Sequence, residues 1–337
     1  MLQEIAEVTY LPLETQDDFL VSGSIGYMDM GQIILNNRNQ LFFFDRNSGS
    51  PSGILNRKGN SGKEYNRIDA FVFDKNAGEI FIANSNRKEI LVYDLNQQFI
   101  RSFETMDYQQ MVDYDSQTLL VYRQQKDSTS TPFFLISKDN GEVIQELDIV
   151  SGPRLDGFSV QLPNGSSATA HISGKSGSLT STKNDVLISE WSCDTMYRFD
   201  YRGALVPVAV RKPTAEKMEP RWLLHLSGEN KLFFMFTATC IKGFTPGMVL
   251  DIEYRYIAYD KQEQKLVTPR FVNTDDPTGS VWKGKSLDQF GTDLVVSLSA
   301  DRLYTAYEEG KLRGRLQEIA STLKEDDNPV LMLVKCK

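Results

Sequence analysis

The sequence predicts an all-β fold, a six-bladed β-propeller of four-stranded antiparallel blades forming a single domain over residues 1–337. Three observations predict it. A short apolar run, then Asp or Lys, then a polar turn, recurs at a spacing of roughly 45–60 residues, the range of propeller blades. The prolines sit where a sheet ladder tolerates them. A strand-like N-terminal segment is left over and matches the one strand missing from the last blade.

The recurring phrase reads Leu41-Phe42-Phe43-Phe44-Asp45, then Ile90-Leu91-Val92-Tyr93-Asp94, then Phe133-Phe134-Leu135-Ile136-Ser137-Lys138. It returns as Met196-Tyr197-Arg198-Phe199-Asp200 and as Tyr256-Ile257-Ala258-Tyr259-Asp260. Short strands separated by turn residues are the signal of an antiparallel meander.

Blade one is expected at Val21 to Tyr27, Gln32 to Leu35, Leu41 to Phe44 and Gly53 to Asn56. Blade two runs Ala70 to Asp74, Glu79 to Ala83, Glu89 to Tyr93 and Phe99 to Phe103. Blade three runs Met111 to Tyr114, Leu119 to Tyr122, Phe133 to Ser137 and Val143 to Leu147. Blade four opens on Phe158 to Leu162. A Gly/Ser/Thr-rich stretch from Asn164 to Asn184 interrupts it, and Val186 to Trp191, Met196 to Phe199 and Leu205 to Val210 complete it. Blade five uses Trp222 to Leu226, Leu232 to Phe236, Tyr254 to Tyr259 and Leu266 to Phe271.

Blade six takes Val281 to Leu287, Asp293 to Leu298 and Asn328 to Val334, and then runs out of chain. The segment Glu7 to Leu13 supplies its fourth strand, closing the ring and removing two open sheet edges. Pro207 and Pro269 fall in outermost strands under this scheme, and Pro132 and Pro329 at the start of third strands. One C-terminal helix is expected, because Leu312, Leu316, Ile319 and Leu323 recur at helical spacing before the Asp326-Asp327-Asn328 stop.

A chain of 337 residues has the length of two or three average domains, but blades share faces, so the repeat overrides that prior. The net charge of −8 argues against nucleic acid, whose phosphates need a basic face; Arg313 and Arg315 are isolated. None of the three cysteines, Cys193, Cys240 and Cys336, has metal-site spacing. Equivalent strands of adjacent blades lie too far apart for a Cys193–Cys240 disulfide. No apolar run reaches the roughly eighteen residues of a membrane span. Met1 to Ile5 does not read as a signal peptide, so the chain is either cytoplasmic or the mature part of an exported protein.

Three stretches carry a family resemblance: Val8 to Thr15 as an entry strand, Lys58 to Tyr65 as a glycine-rich inter-blade connection, and Cys193 to Phe199 as a "DTVYR"-type strand. Over essentially its whole length the chain resembles six-bladed, distantly NHL-like propellers abundant in Bacteroidetes. It departs from their glycine-rich pattern at Ser61 and Lys63. The resemblance implies a periplasmic or cell-envelope location, with a removed leader and a possible lipid anchor in the precursor. It brings no assigned catalytic residues.

Each candidate site has a structural alternative. Asn60 to Glu64 is a potential anion nest but lacks the Walker ending, and a tight turn anchored by Glu64 and Tyr65 explains it. Asp45, Asp74, Asp94, Asp115, Asp200 and Asp260 suggest a metal, but aspartates at strand ends cap turns. Asp113 and Asp115 share a strand and do not make a calcium loop. Of the two histidines, His171 lies in the Gly/Ser-rich insertion and His225 in the first strand of blade five. The loops also carry Arg57, Arg67, Arg154, Trp191, Arg221, Trp222 and Trp282. Aromatic and Arg residues together suit a sugar or peptide ligand, and the tryptophans equally suit packing between blades.

These residues favour a non-catalytic binding or scaffold propeller that recognises a protein or carbohydrate ligand. Arg67, Arg154, Arg221 and His225 are the candidate contacts at the channel mouth. The alternatives are a hydrolase or lyase acting on a sugar or lactone there, and a cytoplasmic interaction module. No motif calls for a cofactor or a metal.

Overall fold

The computed structural model describes residues 6–336 except 38, 124–130, 150–156, 162–166, 172–177, 183, 192, 212–221, 230–232, 245–249, 270–271 and 278–293. The described chain is mostly strand, arranged as the antiparallel sheets of a six-bladed β-propeller. It divides into two compact units, residues 1–66 with 269–337, and residues 67–268.

The chain enters on β1 (Ala6–Pro12) and then builds the first sheet from β2 (Ser24–Met28), β3 (Gln32–Asn37), β4 (Gln40–Asp45) and β5 (Pro51–Leu55). The apolar run of β4 is buried from Leu41 to Phe44 because neighbours cover both faces of an inner strand. Pro51 opens the outermost strand, where its missing N–H leaves no ladder bond unmade.

Among the described residues, the second unit holds four further four-stranded sheets and a two-stranded one. The first is β6 (Ala70–Asp74), β7 (Glu79–Asn84), β8 (Glu89–Asp94) and β9 (Phe99–Glu104). The next is β10 (Gln110–Asp113), β11 (Thr118–Tyr122), β12 (Phe133–Ser137) and β13 (Val143–Glu146). A separate hairpin, β14 (Gly157–Gln161) and β15 (Ser167–His171), precedes β16 (Leu179–Ser181), β17 (Asp185–Ile188), β18 (Thr195–Asp200) and β19 (Leu205–Val210). The last is β20 (Trp222–Glu229), β21 (Phe233–Phe244), β22 (Leu250–Asp260) and β23 (Lys265–Val267).

Two details here differ from the sequence reading. The first strand of blade four is β16, inside the polar stretch, whereas Gly157–Gln161 pairs with Ser167–His171. Leu179 is the buried apolar residue of β16, so the strand is set by pairing with β17 and carries little hydrophobic signal. Pro269 lies beyond the end of β23. Pro207 does sit in the outer strand β19, next to a register shift against β18.

The first unit resumes with β24 (Leu294–Leu298), α1 (Ala300–Glu308), α2 (Gly314–Ala320) and β25 (Val330–Cys336). Its sheet order is β1-β25-β24, and β1 pairs antiparallel with β25 from Ala6↔Cys336 to Pro12↔Val330. The N-terminal strand therefore completes the sheet that the C-terminus begins. Val281 to Leu287, expected as its innermost strand, lies outside the described residues.

Leu11, Leu13, Met28, Ile33, Phe44, Leu331 and Leu333 share one core. Asn328 ties the chain ends: its Nδ2 donates to Glu14 O (2.9 Å) and Phe19 O (2.6 Å), and its Oδ1 accepts from Val21 N (2.8 Å). The expected helical period at Leu312, Leu316 and Ile319 is realised around α2, and α1 is an additional helix.

Candidate functional site

The strand-end aspartates are spent on their own turns. Asp45 Oδ1 accepts from the N–H groups of Asn47 (2.9 Å) and Ser48 (2.8 Å). Asp115 does the same with Gln117 (2.8 Å) and Thr118 (2.7 Å), and Asp200 with Arg202 and Ala204 (both 2.9 Å). These bonds hold the Asp45 and Asp200 carboxyls below the ordinary carboxylate range. Among the described residues, no group of three or more His, Cys, Asp or Glu side chains is placed to hold a metal.

The glycine-rich connection carries its own anion. Glu64 Oε2 accepts from Ser61 N at 2.9 Å, and the Ser61 backbone and hydroxyl lower the carboxyl pKa. A Cβ on Gly59 would stand 2.1 Å from Glu64 Oε2, so the carboxylate fills the space in front of that glycine. Tyr65, fully buried, anchors the turn by donating its hydroxyl to Leu55 O at 3.1 Å. The turn reading accounts for the loop.

Two of the four expected ligand contacts are described. Arg67 is exposed in the connection entering β6, with Nε 2.9 Å from Asp69 Oδ1. Asp69 Oδ2 in turn accepts from Ser85 N at 3.0 Å. His225 is half-buried in β20, its Nδ1 3.3 Å from Ser189 O. A carbonyl only accepts, so Nδ1 carries the proton and Nε2 keeps its lone pair. Burial pulls the imidazole down to about 4, and the nearby Arg211 charge contributes. Arg154 and Arg221 lie outside the described residues, as does Trp282.

Around His225 is a cluster built on Arg211, which the sequence reading did not single out, and on Trp191, which it did. The Arg211 guanidinium, just after β19, donates to Glu190 O (2.9 Å), Trp191 O (2.8 Å), Cys193 O and Leu224 O (3.3 Å). One side chain thus pins the loop between β17 and β18 to the start of β20. Trp191 rides on that loop, half-exposed. Beneath it, Tyr122 donates its hydroxyl to Glu190 Oε1 at 3.4 Å. The signal for this role was absent, since an arginine after an outer strand reads as solvated surface.

The electrostatics of the cluster do not activate a nucleophile. Burial pushes the Cys193 thiol up to about 12, and the Glu190 charge adds to it. A thiol held protonated is the reverse of the thiolate that a cysteine nucleophile needs.

Residues 2–335 match a single family model. The chain belongs to the family described as Domain of unknown function (DUF4934). No curated protein matches this DUF4934 chain in sequence. Among solved structures, a candidate exported protein from Bacteroides fragilis is similar at a TM-score of 0.64 and 15% identity, covering 99% of this chain and 96% of that one. A member of the DUF4221 family from Bacteroides vulgatus is similar at a TM-score of 0.57 and 10% identity, covering 100% and 99%. These likenesses share the propeller fold with DUF4934. Among the described residues, no helix is long and apolar enough to cross a membrane.

Proposed function

We propose that this protein is a recognition propeller of the cell envelope, binding a protein or glycan through the loops that enter the first strands and link the second to the third. The observation that carries the reading is the Arg211 guanidinium holding the carbonyls of Glu190, Trp191 and Cys193, with Trp191 half-exposed there. Burying a guanidinium to fix one loop is costly, and the return is preorganisation: a loop already ordered loses less entropy on binding. A tryptophan presents a large, rigid face with few rotatable bonds, suited to a sugar ring or a peptide side chain. The same reading takes Arg67, Arg154, Arg221 and His225 as further contacts. The envelope location rests on the Bacteroidetes resemblance and on the description of the similar B. fragilis protein as a candidate exported one.

The test is a screen of glycan and peptide arrays with the full chain, followed by variants. Trp191→Ala is expected to weaken a discovered ligand at least tenfold, with the thermal midpoint within about 2 °C of the parent. Arg67→Ala is expected to weaken it with little change in stability, because an exposed ion pair contributes only about 0–1 kcal/mol. Binding that survives both changes, together with a ligand located on the outer strands, overturns the reading. Fractionation of cells expressing the native gene, with a search for a lipid-modified N-terminus, tests the location separately.

A further inference from the structure

The buried and half-buried cations of the described chain are partnered, with one exception. Arg101 pairs with Glu79, Lys138 with Asp74, Arg198 with Asp185 and Arg302 with Asp276. Arg211 is spent on carbonyls, and Arg123 donates to the Met106 sulfur. The exception is Arg46. Its side chain is half-buried and its Nε is sealed from solvent, yet among the described residues the side chain has neither a hydrogen bond nor an ion pair. Burial lowers its pKa, with no compensating carboxylate among the causes.

The acids nearest in sequence are engaged elsewhere. Asp45 Oδ1 is taken by Asn47, by the Ser48 N–H and by the Ser48 hydroxyl (2.9 Å). Asp29 Oδ1 accepts from Gly31 N and Gln32 N, both at 2.7 Å, and its Oδ2 from Tyr27 OH at 3.2 Å. Arg46 itself is fixed where two turns of the first sheet meet, its N–H donating to Gly31 O at 2.9 Å. Met30, 74% exposed, sits on the same turn as Gly31.

A partly desolvated guanidinium without an acceptor costs stability, and a folded chain retains such a group at little loss only if something outside it completes the set. Guanidinium groups match planar or tetrahedral oxyanions, which accept two N–H bonds at once. We propose that Arg46 is the core of an oxyanion site for a carboxylate or a sulfate or phosphate group of a ligand. It lies at the strand ends of the first sheet opposite the Arg57–Asn66 connection. It shares no residue with the loops on which the proposed function rests.

The experiment follows thermal unfolding of the full chain and of Arg46→Met and Arg46→Lys. Sodium sulfate, sodium phosphate and sodium glucuronate are titrated against sodium chloride at matched ionic strength. In chloride, Arg46→Met is expected to melt at or above the parent midpoint, because it keeps the apolar stem and removes an uncompensated charge. In the parent, at least one oxyanion should raise the midpoint saturably beyond the chloride baseline. That increment should vanish in Arg46→Met and survive weakened in Arg46→Lys, which retains the charge but not the fork. Saturation by glucuronate alone identifies a carboxylate, and saturation by sulfate or phosphate a tetrahedral ester. An oxyanion increment equal in parent and Arg46→Met, or no saturable increment in any salt, overturns the proposal. So does a lower chloride midpoint for Arg46→Met, which would make the guanidinium a structural group.

Discussion

His225 makes the chain's stability sensitive to mild acid. Its imidazole titrates near 6.5 when unfolded and at about 4 in the fold, because burial and Arg211 disfavour the charged form. The unfolded state then binds more protons over that range, so stability is complete above about pH 6.5 and is lost as pH falls toward 4. The ring keeps some solvent contact, so the loss is discounted to roughly 2 kcal/mol from the full linkage value. Chemical denaturation at pH 7 and at pH 4.5 measures it. His225→Gln is expected to flatten this part of the pH profile. A parent and variant with parallel profiles would remove the imidazole from the explanation. The same residue shows how far sequence reading reaches at a site. A histidine in the first strand of a blade was legible. Its neutrality was not, because that depends first on burial and then on the Arg211 charge, which outweigh the Ser189 carbonyl that favours the charged ring.

Contacts between adjacent sheets depend on a few buried charges at the turn ends of the strands. Lys138 follows β12, and its Nζ lies 2.5 Å from Asp74 Oδ2 at the end of β6 and 2.6 Å from Asp113 Oδ1 in β10. Its carbonyl accepts from Arg101 Nη2 at 2.9 Å, and Arg101 also grips Glu79. Removing the ammonium in Lys138→Met leaves two carboxylates facing each other. Breaking such a pair costs about 3 kcal/mol, toward the low end of the buried range, because the Asp113 side chain is 38% exposed. Burial already raises the Asp113 pKa in the parent, and losing Lys138 raises it further. A carboxyl with a raised folded pKa takes up its proton more readily folded than unfolded, so this variant's deficit should shrink as pH falls from 7 toward 4. A deficit independent of pH would mean that the lysine acts through packing alone.

The strand pattern itself was readable because apolar runs such as those of β4 and β8 are closed by an aspartate turn. Two elements were not readable. The strand β16 is Leu-Thr-Ser, with one apolar residue, and exists because β17 offers it a ladder. The helix α1 buries Ala300, Leu303 and Ala306, and alanines make a faint stripe. In both cases tertiary partners, rather than local hydrophobic period, decide the conformation.

Across the whole chain, the two compact units differ in how they are assembled from sequence. Residues 67–268 are continuous, whereas the other unit needs residues 1–66 and 269–337 together. That first unit therefore depends on long-range closure: β1 on β25, and Asn328 on the Glu14–Val21 segment. Deleting residues 1–14 removes β1, Leu11 and Leu13, and it exposes the edge of β25. Two buried leucines at roughly 1.5–3 kcal/mol each put the loss at about 3–6 kcal/mol. The loss should be local before it is global, because stability is distributed in cooperative blocks. Hydrogen exchange on the trimmed chain is expected to show protection falling first in β24, β25 and β2–β5. The inner strands β7, β8, β11 and β12 should retain protection under the same conditions. If protection falls evenly in both sets, the units unfold as one and closure acts on the entire chain. If it falls in neither, the first unit is held by contacts other than its N-terminal strand.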